Sequence, residues 1–443
     1  MEPHSLTIVE ASSLIRGGKL SPVDLLESIL RRIEALEPRV EAWVTLDPHG
    51  ARATAEKLAD EAGQGKIRGP LHGIPVGLKD IYDTAGLRTT MGSPLYASHV
   101  PEGDAEVVKR LREAGAMVVG KTETTEFAYL DPAPTRNPWN LGHTPGGSSS
   151  GSAAAVSSLM VPLAFGSQTG GSTIRPASYC GVVGVKPTYD LISREGIFPL
   201  AWSLDHVGLF TRTVEDAALA LDVVAGTQTS RVLKAPPPRV GVPKEFYVRV
   251  AHDEVKQGFD AALRRLEGRG AEIVEMKLPA SFRAVHDAHR IIMAVEAAAV
   301  HEKSFKQKMA GYRQNIRGYV ASGLLVPATS YLQAQRVRRR FTGEMLAAME
   351  GLDCVLTPST TSPAPQGLGS TGDAAFNSPW SLTGFPTVTV PSGLSSQRLP
   401  LGVQLTAPPF EEARLMGVAR WCESVLGPIG SPEVQVEQGA YLV

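Results

Sequence analysis

Residues 145–172 read PGGSSSGSAAAVSSLMVPLAFGSQTGGS, and this stretch decides which fold the sequence favours. Clusters of glycine and hydroxyl side chains at 146–152 and 168–172 flank a segment of alanines and larger apolar residues. A flexible linker would not run directly into a segment whose side chains require burial. The stretch therefore predicts a buried segment between two serine-bearing turns.

Helical and strand-like patterns alternate on both sides of this stretch. Residues 105–114 repeat apolar side chains at helical spacing, Gly115 ends the repeat, and AMVVG at 116–120 is typical of a buried strand. The same pairing recurs at 239–279 and at 331–358. Because strands that alternate with helices build a sheet covered by helices, we predict an α/β fold.

Two further regions are predicted to be mainly helical. Ser21 and Pro22 supply a capping residue followed by proline, and helical spacing continues at 25–33, so the N-terminal region of about 1–65 should consist largely of helix. Residues of about 281–345 contain many helix formers and few strand signals, which predicts a helical insertion.

Composition and charge exclude several classes of protein. Lys plus Arg total 44 against 45 for Asp plus Glu, so no nucleic-acid partner is expected. A membrane span needs a run of about 20 apolar residues, and none occurs, so no membrane partner is expected. Cys180, Cys354 and Cys422 lack disulfide or metal-ligand spacing and no export signal is visible, which together predict a cytoplasmic protein.

A serine nucleophile in this stretch needs a proton acceptor. Residues 147–151 match the GxSxG turn of α/β-hydrolases and would nominate Ser149, but turn-forming residues rather than a strand precede them. No histidine follows His301 to complete such a triad. Lys79 follows the apolar run GIPVGL, where burial would lower its pKa from about 10.4 and free the amine to act as a base. Asp80 would oppose this effect if it faced the amine.

Four ordered blocks resemble the amidase signature family: GIPVGLKD at 73–80, PGGSSSGSAAAV at 145–156, SQTGGSTIRPASYCGVVGVKPT at 167–188 and SLDHVGLFTRTVEDAALAL at 203–221. The likeness continues through 376–394 and 399–405 and is weakest between about 280 and 345. It implies a single domain over residues 1–443, built on a large mixed β-sheet that helices cover on both sides.

By this resemblance, Ser172 is the nucleophile, Ser148 is a bridging serine on a cis peptide, and Lys79 is the base. The family's oxyanion hole maps onto the backbone N–H groups of Thr169, Gly170, Gly171 and Ser172. A Gly-Gly turn of this kind also favours such an anion-binding nest through its own chemistry. The implied reaction cleaves an amide C–N bond through a serine acyl-enzyme and needs neither a metal nor an organic cofactor.

The third block departs from the pattern DTGGSIRxPA that many relatives carry. Gln168 replaces the acid, and Arg175 stands three residues after the nucleophile. Together with RNPWNLGHTPGGSSSGS at 136–152, this variant resembles malonamidase-type enzymes, in which an arginine at the matching place binds the carboxylate of a dicarboxylic acid monoamide. Arg175 is therefore a candidate substrate-binding residue and malonamate a candidate substrate, because guanidinium and carboxylate pair through two hydrogen bonds. The alternative is that Arg175 pairs with an internal Asp or Glu.

Other functions stay open on the same motifs. Glutaminase-type A subunits of tRNA-dependent amidotransferases share the signature, but they place an acid near the C-terminus where this chain has Ser381 or Ala374, with Asp373 off register. A general aliphatic or aryl amidase is a further alternative. A non-catalytic relative is disfavoured because all three reacting residues are present. The expected partner is a small-molecule amide, and the N-terminal helical region leaves room for a homodimer.

Overall fold

One mixed sheet organises the chain, and the computed structural model describes residues 2–434. Its eleven strands within that range are β1 (Trp43–Leu46), β2 (Pro75–Lys79), β3 (Met117–Thr122), β4 (Leu163–Gln168), β5 (Val183–Lys186), β6 (His206–Thr211), β7 (Arg239–Val242), β8 (Glu272–Glu275), β9 (Cys354–Pro358), β10 (Thr387–Leu394) and β11 (Pro400–Thr406). They are ordered β1-β3-β2-β4-β6-β5-β10-β11-β9-β7-β8 across the sheet.

Fourteen α-helices accompany the sheet in the described part of the chain. They are α1 (Ile8–Arg16), α2 (Pro22–Val40), α3 (Pro48–Gly63), α4 (Glu106–Glu113), α5 (Ser150–Ser157), α6 (Ile174–Cys180), α7 (Val214–Ala225), α8 (Lys244–Val250), α9 (Asp253–Glu267), α10 (Val285–Lys308), α11 (Gln314–Leu324), α12 (Ala328–Ala348), α13 (Ser378–Thr383) and α14 (Glu412–Leu426). The predicted α/β fold, a large mixed sheet covered by helices, is confirmed.

The sheet combines parallel and antiparallel pairs. Strand β2 runs parallel to both β3 and β4, whereas β4, β6, β5, β10, β11 and β9 pair in sequence as antiparallel neighbours. Every residue of β2, β4 and β6 is buried. Strands at the centre of a helix-covered sheet are buried on both faces, which explains why apolar residues and glycine fill their middles while polar residues such as Lys79, Gln168 and His206 stand at their ends.

Helices fill the two regions where the sequence predicts them. The Ser21 side chain accepts a hydrogen bond from the backbone N–H of Val23 and begins α2, so the predicted cap is formed. Helices α1 to α3 occupy most of the N-terminal region, and α10 to α12 occupy the predicted insertion. The single domain over 1–443 stays a prediction, and its ends at residues 1 and 435–443 lie outside the described residues.

The carboxyl ends of β2 and β4 place two of the sequence motifs side by side. The two strands are parallel neighbours that pair Val76 with Leu163 and Leu78 with Phe165. Strand β2 ends at Lys79 and β4 ends at Gln168, so the chain leaves both strands at the same edge of the sheet. Ligand sites of α/β sheets lie beyond the carboxyl ends of parallel strands.

Two composition-based expectations have structural counterparts. Among the helices of residues 2–434, none combines the length and the apolar character that crossing a bilayer requires. Cys180, Cys354 and Cys422 are buried and carry free thiols.

Candidate active site

A buried lysine contacts two serine side chains at the end of β2. Lys79 is fully buried at the end of β2, and its Nζ donates to the Oγ of Ser148 at 2.7 Å and to the Oγ of Ser167 at 2.8 Å. The Gly147–Ser148 peptide bond is cis. The predicted base and the predicted bridging serine are therefore in direct hydrogen-bond contact.

Burial sets the protonation state of this lysine. Loss of solvation lowers the pKa of Lys79 to about 7, and the Asp205 carboxylate partly opposes that shift. Asp80 has a different role from the one considered in the sequence, because its carboxylate accepts hydrogen bonds from the N–H and hydroxyl of Thr90 and has Lys121 as its neighbouring charge. A substantial fraction of Lys79 is neutral near pH 7, as a general base requires.

Asp205 connects this lysine to the loop that carries Ser172. Its Oδ1 accepts a hydrogen bond from the Thr169 hydroxyl at 2.6 Å, and its Oδ2 accepts from the N–H groups of Leu200 and Ala201 at 2.8 and 3.0 Å. Burial raises the pKa of Asp205 to about 6, while the hydrogen bonds from Thr169, Leu200 and Ala201 favour its ionised form.

We expect the Asp205→Asn variant to reach its full activity at a lower pH than the wild type. An ionised Asp205 favours protonated Lys79, so a neutral side chain of the same shape lowers the pKa of Lys79 below about 7. The acid limb of kcat/KM against pH, measured between about pH 5 and about pH 10, should move to lower pH. Asp190→Asn, which changes an exposed carboxylate, is the matched control, and an acid limb that stays in place in Asp205→Asn would contradict the assignment.

Ser172 lies in the turn between β4 and α6, with 8% of its surface exposed. Its carbonyl accepts a hydrogen bond from the N–H of Ser149 at 3.4 Å, so the two serine-bearing turns meet. Ser172 borders a cavity of ≈ 410 Å³, which we call the Ser172 cavity. The residues that line it are Ala128, Tyr129, Leu130, Thr169, Gly170, Gly171, Ser172, Arg175, Leu200, His286, His289, Arg290, Met293, Tyr319, Gly372, Asp373, Ala374, Ala375 and Ser378.

The turn that carries Ser172 is held by hydrogen bonds within its own segment of the chain. The Oε1 of Gln168 accepts hydrogen bonds from the N–H groups of Thr173 at 2.9 Å and Ile174 at 3.0 Å, where α6 begins. The N–H of Arg175 donates to the carbonyl of Gly171 at 3.0 Å. Gln168 thus supports the loop through hydrogen bonds to its backbone and does not line the Ser172 cavity.

Arg175 lines the Ser172 cavity but is also tied to the protein. Its guanidinium is 4% exposed and donates to the carbonyls of Gly147 at 2.7 Å and Gly372 at 2.9 Å and to the hydroxyl of Thr371 at 3.2 Å. The buried Nε has no hydrogen-bond partner among the described residues. Its hydrogen-bond partners among residues 2–434 are carbonyls and a hydroxyl, and Asp373 acts on it as a nearby negative charge, so the alternative of an internal acidic partner stays open.

Sequence reasoning missed several residues of the site. Ser167, the second partner of Lys79, lies in the same matching block as Ser172, and Asp205 lies in the fourth matching block. Both residues could therefore have been proposed from the sequence motifs. His289 reaches the carbonyl of Thr169 from α10, at 2.9 Å. That helix falls where the family likeness is weakest, so no sequence pattern pointed to this histidine.

A comparison with known families decides the identity of this arrangement. The profile described as Amidase matches residues 24–416. The chain belongs to the amidase signature family. It is accordingly an amidase-family hydrolase that acts on amide C–N bonds, and the Ser-cisSer-Lys triad that the sequence predicts is characteristic of this family.

Relatives of the amidase support this placement along almost the whole chain. The A subunit of glutamyl-tRNA(Gln) amidotransferase from Geobacter metallireducens is 37% identical over an alignment that covers 95% of this chain and 97% of that protein. A crystal structure described as an amidase is 34% identical, covers 95% of this chain and 100% of its own, and has a TM-score of 0.89. Native peptide amidase from Stenotrophomonas maltophilia is 29% identical, covers 98% and 99%, and has a TM-score of 0.83.

These relatives bear on the finer prediction of a malonamidase. Two of them are described as amidases and one as the A subunit of an amidotransferase, so the more specific resemblance to malonamidase-type enzymes stays a prediction. The amidotransferase interpretation, weighed as an alternative from the sequence, is supported better than the malonamidase one, because a 37% identical relative carries that description and none of these three relatives is described as a malonamidase.

Proposed function

We propose that the chain is a serine amidohydrolase that cleaves the amide bond of a small substrate, with Ser172 as the nucleophile, Ser148 as the bridge and Lys79 as the base. The observation that carries this proposal is the buried hydrogen bond of 2.7 Å between Lys79 and Ser148, next to the cavity that Ser172 borders. A lysine can deprotonate a serine only if its amine is neutral, and burial supplies that condition here.

In the acylation step, neutral Lys79 takes a proton from Ser148, and Ser148 takes one from Ser172 as its Oγ bonds to the amide carbonyl carbon. The carbonyl oxygen gains negative charge and receives hydrogen bonds from the N–H groups of the loop that includes Gly170 and Gly171. The proton returns through Ser148 to the amide nitrogen, the C–N bond breaks, and ammonia or an amine leaves an acyl ester on Ser172.

In the deacylation step, water attacks the ester carbon and gives a proton to the same relay. The Ser172 Oγ leaves as the C–O bond breaks and recovers its proton through Ser148. A carboxylic acid is released, and the enzyme returns to its starting state with Lys79 neutral.

The charged groups of the Ser172 cavity suggest the substrate class. Arg175 and Arg290 provide positive charge, and Asp373 provides negative charge, around an otherwise mainly apolar lining. Arg175 lines the cavity, so its positive charge acts on a ligand there, although its Nε is buried without a partner among residues 2–434. We therefore propose a short amide that carries a carboxylate, and a dicarboxylic acid monoamide such as malonamate is the simplest member of this class.

Glutamine is a second candidate of the same class. Amidotransferase A subunits are among the relatives, and the carboxylate of Asp373 lines the Ser172 cavity although the sequence places it off register. An acid in that place suits the ammonium of an amino-acid substrate while arginine suits its carboxylate. This candidate would make the chain the glutaminase-type component of an assembly. A homodimer and a cytoplasmic location are further expectations that stay predictions.

We expect wild-type enzyme to release ammonia from malonamate or glutamine, and Ser172→Ala to abolish release. Propionamide matches malonamate in length but lacks its carboxylate, so it isolates the contribution of Arg175. Arg175→Met should lower kcat/KM for the carboxylated amide roughly 10- to 100-fold more than for propionamide, the effect of one lost charged hydrogen bond. Arg338→Met, a partly buried arginine outside the cavity, is the control.

The same set of variants and amides distinguishes glutamine from malonamate as the substrate. It also tests the roles of Arg175 and Ser172. Asp373→Asn should reduce turnover of glutamine and leave malonamate turnover within about threefold, because only glutamine carries an ammonium group. Equal losses for propionamide and malonamate in Arg175→Met would assign Arg175 to the support of the Gly147 and Gly372 carbonyls instead. Turnover that survives Ser172→Ala would overturn the proposed nucleophile.

A further inference from the structure

Two carbonyl groups of the loop before Ser172, those of Thr169 and Gly170, are held by side chains from elsewhere in the fold. His289 of α10 contacts the carbonyl of Thr169 through Nε2 at 2.9 Å, and the hydroxyl of Ser381 in α13 donates to the carbonyl of Gly170 at 2.8 Å. Ser381 is fully buried and does not line the Ser172 cavity, so it cannot serve there as a substrate ligand.

A held carbonyl fixes the N–H that follows it. The peptide unit is planar and trans, so the C=O of one residue and the N–H of the next point in opposite directions. The bond from Ser381 to the Gly170 carbonyl therefore sets the direction of the Gly171 N–H. That N–H belongs to the loop which, in the proposed function, stabilises the oxyanion.

Gln168 determines which way the Ser381 hydroxyl points. The Oε1 of Gln168 faces two backbone N–H groups, which can only donate, so its amide NH₂ must face the other way. Its Nε2 donates to the Oγ of Ser381 at 3.1 Å. An oxygen that accepts from Gln168 keeps its own proton for the Gly170 carbonyl, and the side chains of Gln168 and Ser381 are both fully buried.

We propose that Gln168 and Ser381 are positioning residues that orient the Gly171 N–H toward the developing oxyanion, through a relay of hydrogen bonds from Gln168 to Ser381 to the Gly170 carbonyl. The proposal rests on the proposed function, because it gives a role to the oxyanion loop of that mechanism. It also explains how glutamine, with both an acceptor and a donor, serves at position 168 and why a hydroxyl serves at position 381.

Gln168→Glu separates the two tasks of the glutamine. A carboxylate still accepts hydrogen bonds from the N–H groups of Thr173 and Ile174, so the start of α6 keeps its partners. It cannot donate to Ser381, whose hydroxyl then turns toward the carboxylate and releases the Gly170 carbonyl. A substitution that acted only by disturbing the packing would instead weaken both the hydrogen bonds from the N–H groups and the hydrogen bond to Ser381.

The test uses the whole enzyme at about pH 8.5, above the pKa of Lys79 at about 7, and the two backbone N–H groups that face the introduced carboxyl favour its ionised form. We expect Gln168→Glu and Ser381→Ala each to lower kcat at least tenfold on the amide that the wild type turns over, with KM within about threefold. Because both residues act along one path, the double variant should lose little more than either single one. Thr383→Val, in the same helix, is the control and should retain wild-type kcat.

A second readout does not depend on the natural amide. An alkyl fluorophosphonate bonds its phosphorus to the Ser172 Oγ, expels fluoride, and passes the serine proton to Lys79 through Ser148. Its phosphoryl oxygen requires the same N–H groups, so the labelling rate of both variants should fall in parallel with kcat. Ser381→Cys, with a weaker donor of similar size, should fall between wild type and Ser381→Ala and replaces Ser381→Ala if that variant does not fold.

The outcomes distinguish this inference from the proposed function. No labelling of the wild type, or equal labelling of Ser172→Ala, would overturn the proposed function. Labelling that requires Ser172, together with unchanged rates in Gln168→Glu and Ser381→Ala, would overturn the inference and leave the function intact. Fully additive losses in the double variant would also overturn the relay, because they would show two independent contributions.

Discussion

Lys79→Met is expected to fold and to lose turnover by roughly 10⁴-fold or more, the scale on which loss of one member of a catalytic triad acts. Methionine has a similar length and no charge, so it fits the buried position but cannot accept the proton of Ser148. In the wild type, kcat/KM should rise with pH through about 7, because only the neutral form of Lys79 acts as a base. Steady-state turnover per folded protein measures the loss.

Stability measurements show whether Lys79→Met loses activity because the proton acceptor is missing or because the protein unfolds. The pKa of Lys79 is about 10.4 in an unfolded chain and about 7 in the fold, so the unfolded state holds the extra proton between these values. Wild-type stability therefore decreases as the pH is lowered from about 10 to about 7, and the methionine variant lacks this decrease. As the pH is lowered from about 10 to about 7, the melting temperature of Lys79→Met should therefore rise relative to that of the wild type.

Lys186→Met is the matched control for this prediction. Lys186 is also fully buried in the sheet, and burial also lowers its pKa to about 7, but its Nζ donates to the carbonyls of Pro187 and Phe385. Its replacement should change stability and leave turnover per folded molecule within about threefold. Full activity in Lys79→Met, or an equal loss in Lys186→Met, would contradict the role of Lys79 as the base.

Local elements of the fold could be predicted where periodicity and termination signals agree. Helix α4 occupies Glu106–Glu113 and β3 occupies Met117–Thr122, close to the ranges 105–114 and 116–120 that helical spacing, Gly115 and the run AMVVG predict. The order of the strands could not be predicted, because it depends on pairings between residues that are far apart in the chain. Strand β5, for example, lies between β6 and β10, about 200 residues later in the sequence.

The site could be predicted in part for a similar reason. Lys79 and Ser148 lie in blocks with a family pattern, and the structure joins them by a hydrogen bond. The charge that opposes the pKa shift of Lys79 comes from Asp205 rather than from adjacent Asp80, since the chain turns the neighbouring side chain toward Thr90. Sequence neighbours are easily proposed as partners, but the fold decides which charges face each other.

Gly171→Ala is expected to lower kcat by roughly 10²- to 10³-fold, the usual cost of losing an oxyanion-hole donor. A Cβ on Gly171 would lie 2.6 Å from the Oδ1 of Asn377 and 3.1 Å from the Cβ of Ala374. Asn377 has little freedom to move away, because its Nδ2 donates to the carbonyl of Ser359 and to the Oε1 of Gln404, both at 2.9 Å. The loop backbone must shift instead and carry its N–H out of position.

Gly170→Ala is the control that shows whether the loss of kcat in Gly171→Ala comes from the close contact of the added Cβ. The nearest atom to a Cβ on Gly170 is the Cε1 of His289 at 3.5 Å, an ordinary van der Waals distance, so the backbone has no reason to move. We expect this variant to keep kcat within about tenfold of wild type, although the two glycines are adjacent and both contribute to the same proposed hole. Thermal melts should show that both variants are folded. If the two then lose kcat to a comparable extent, the contact with Asn377 does not set the position of the loop.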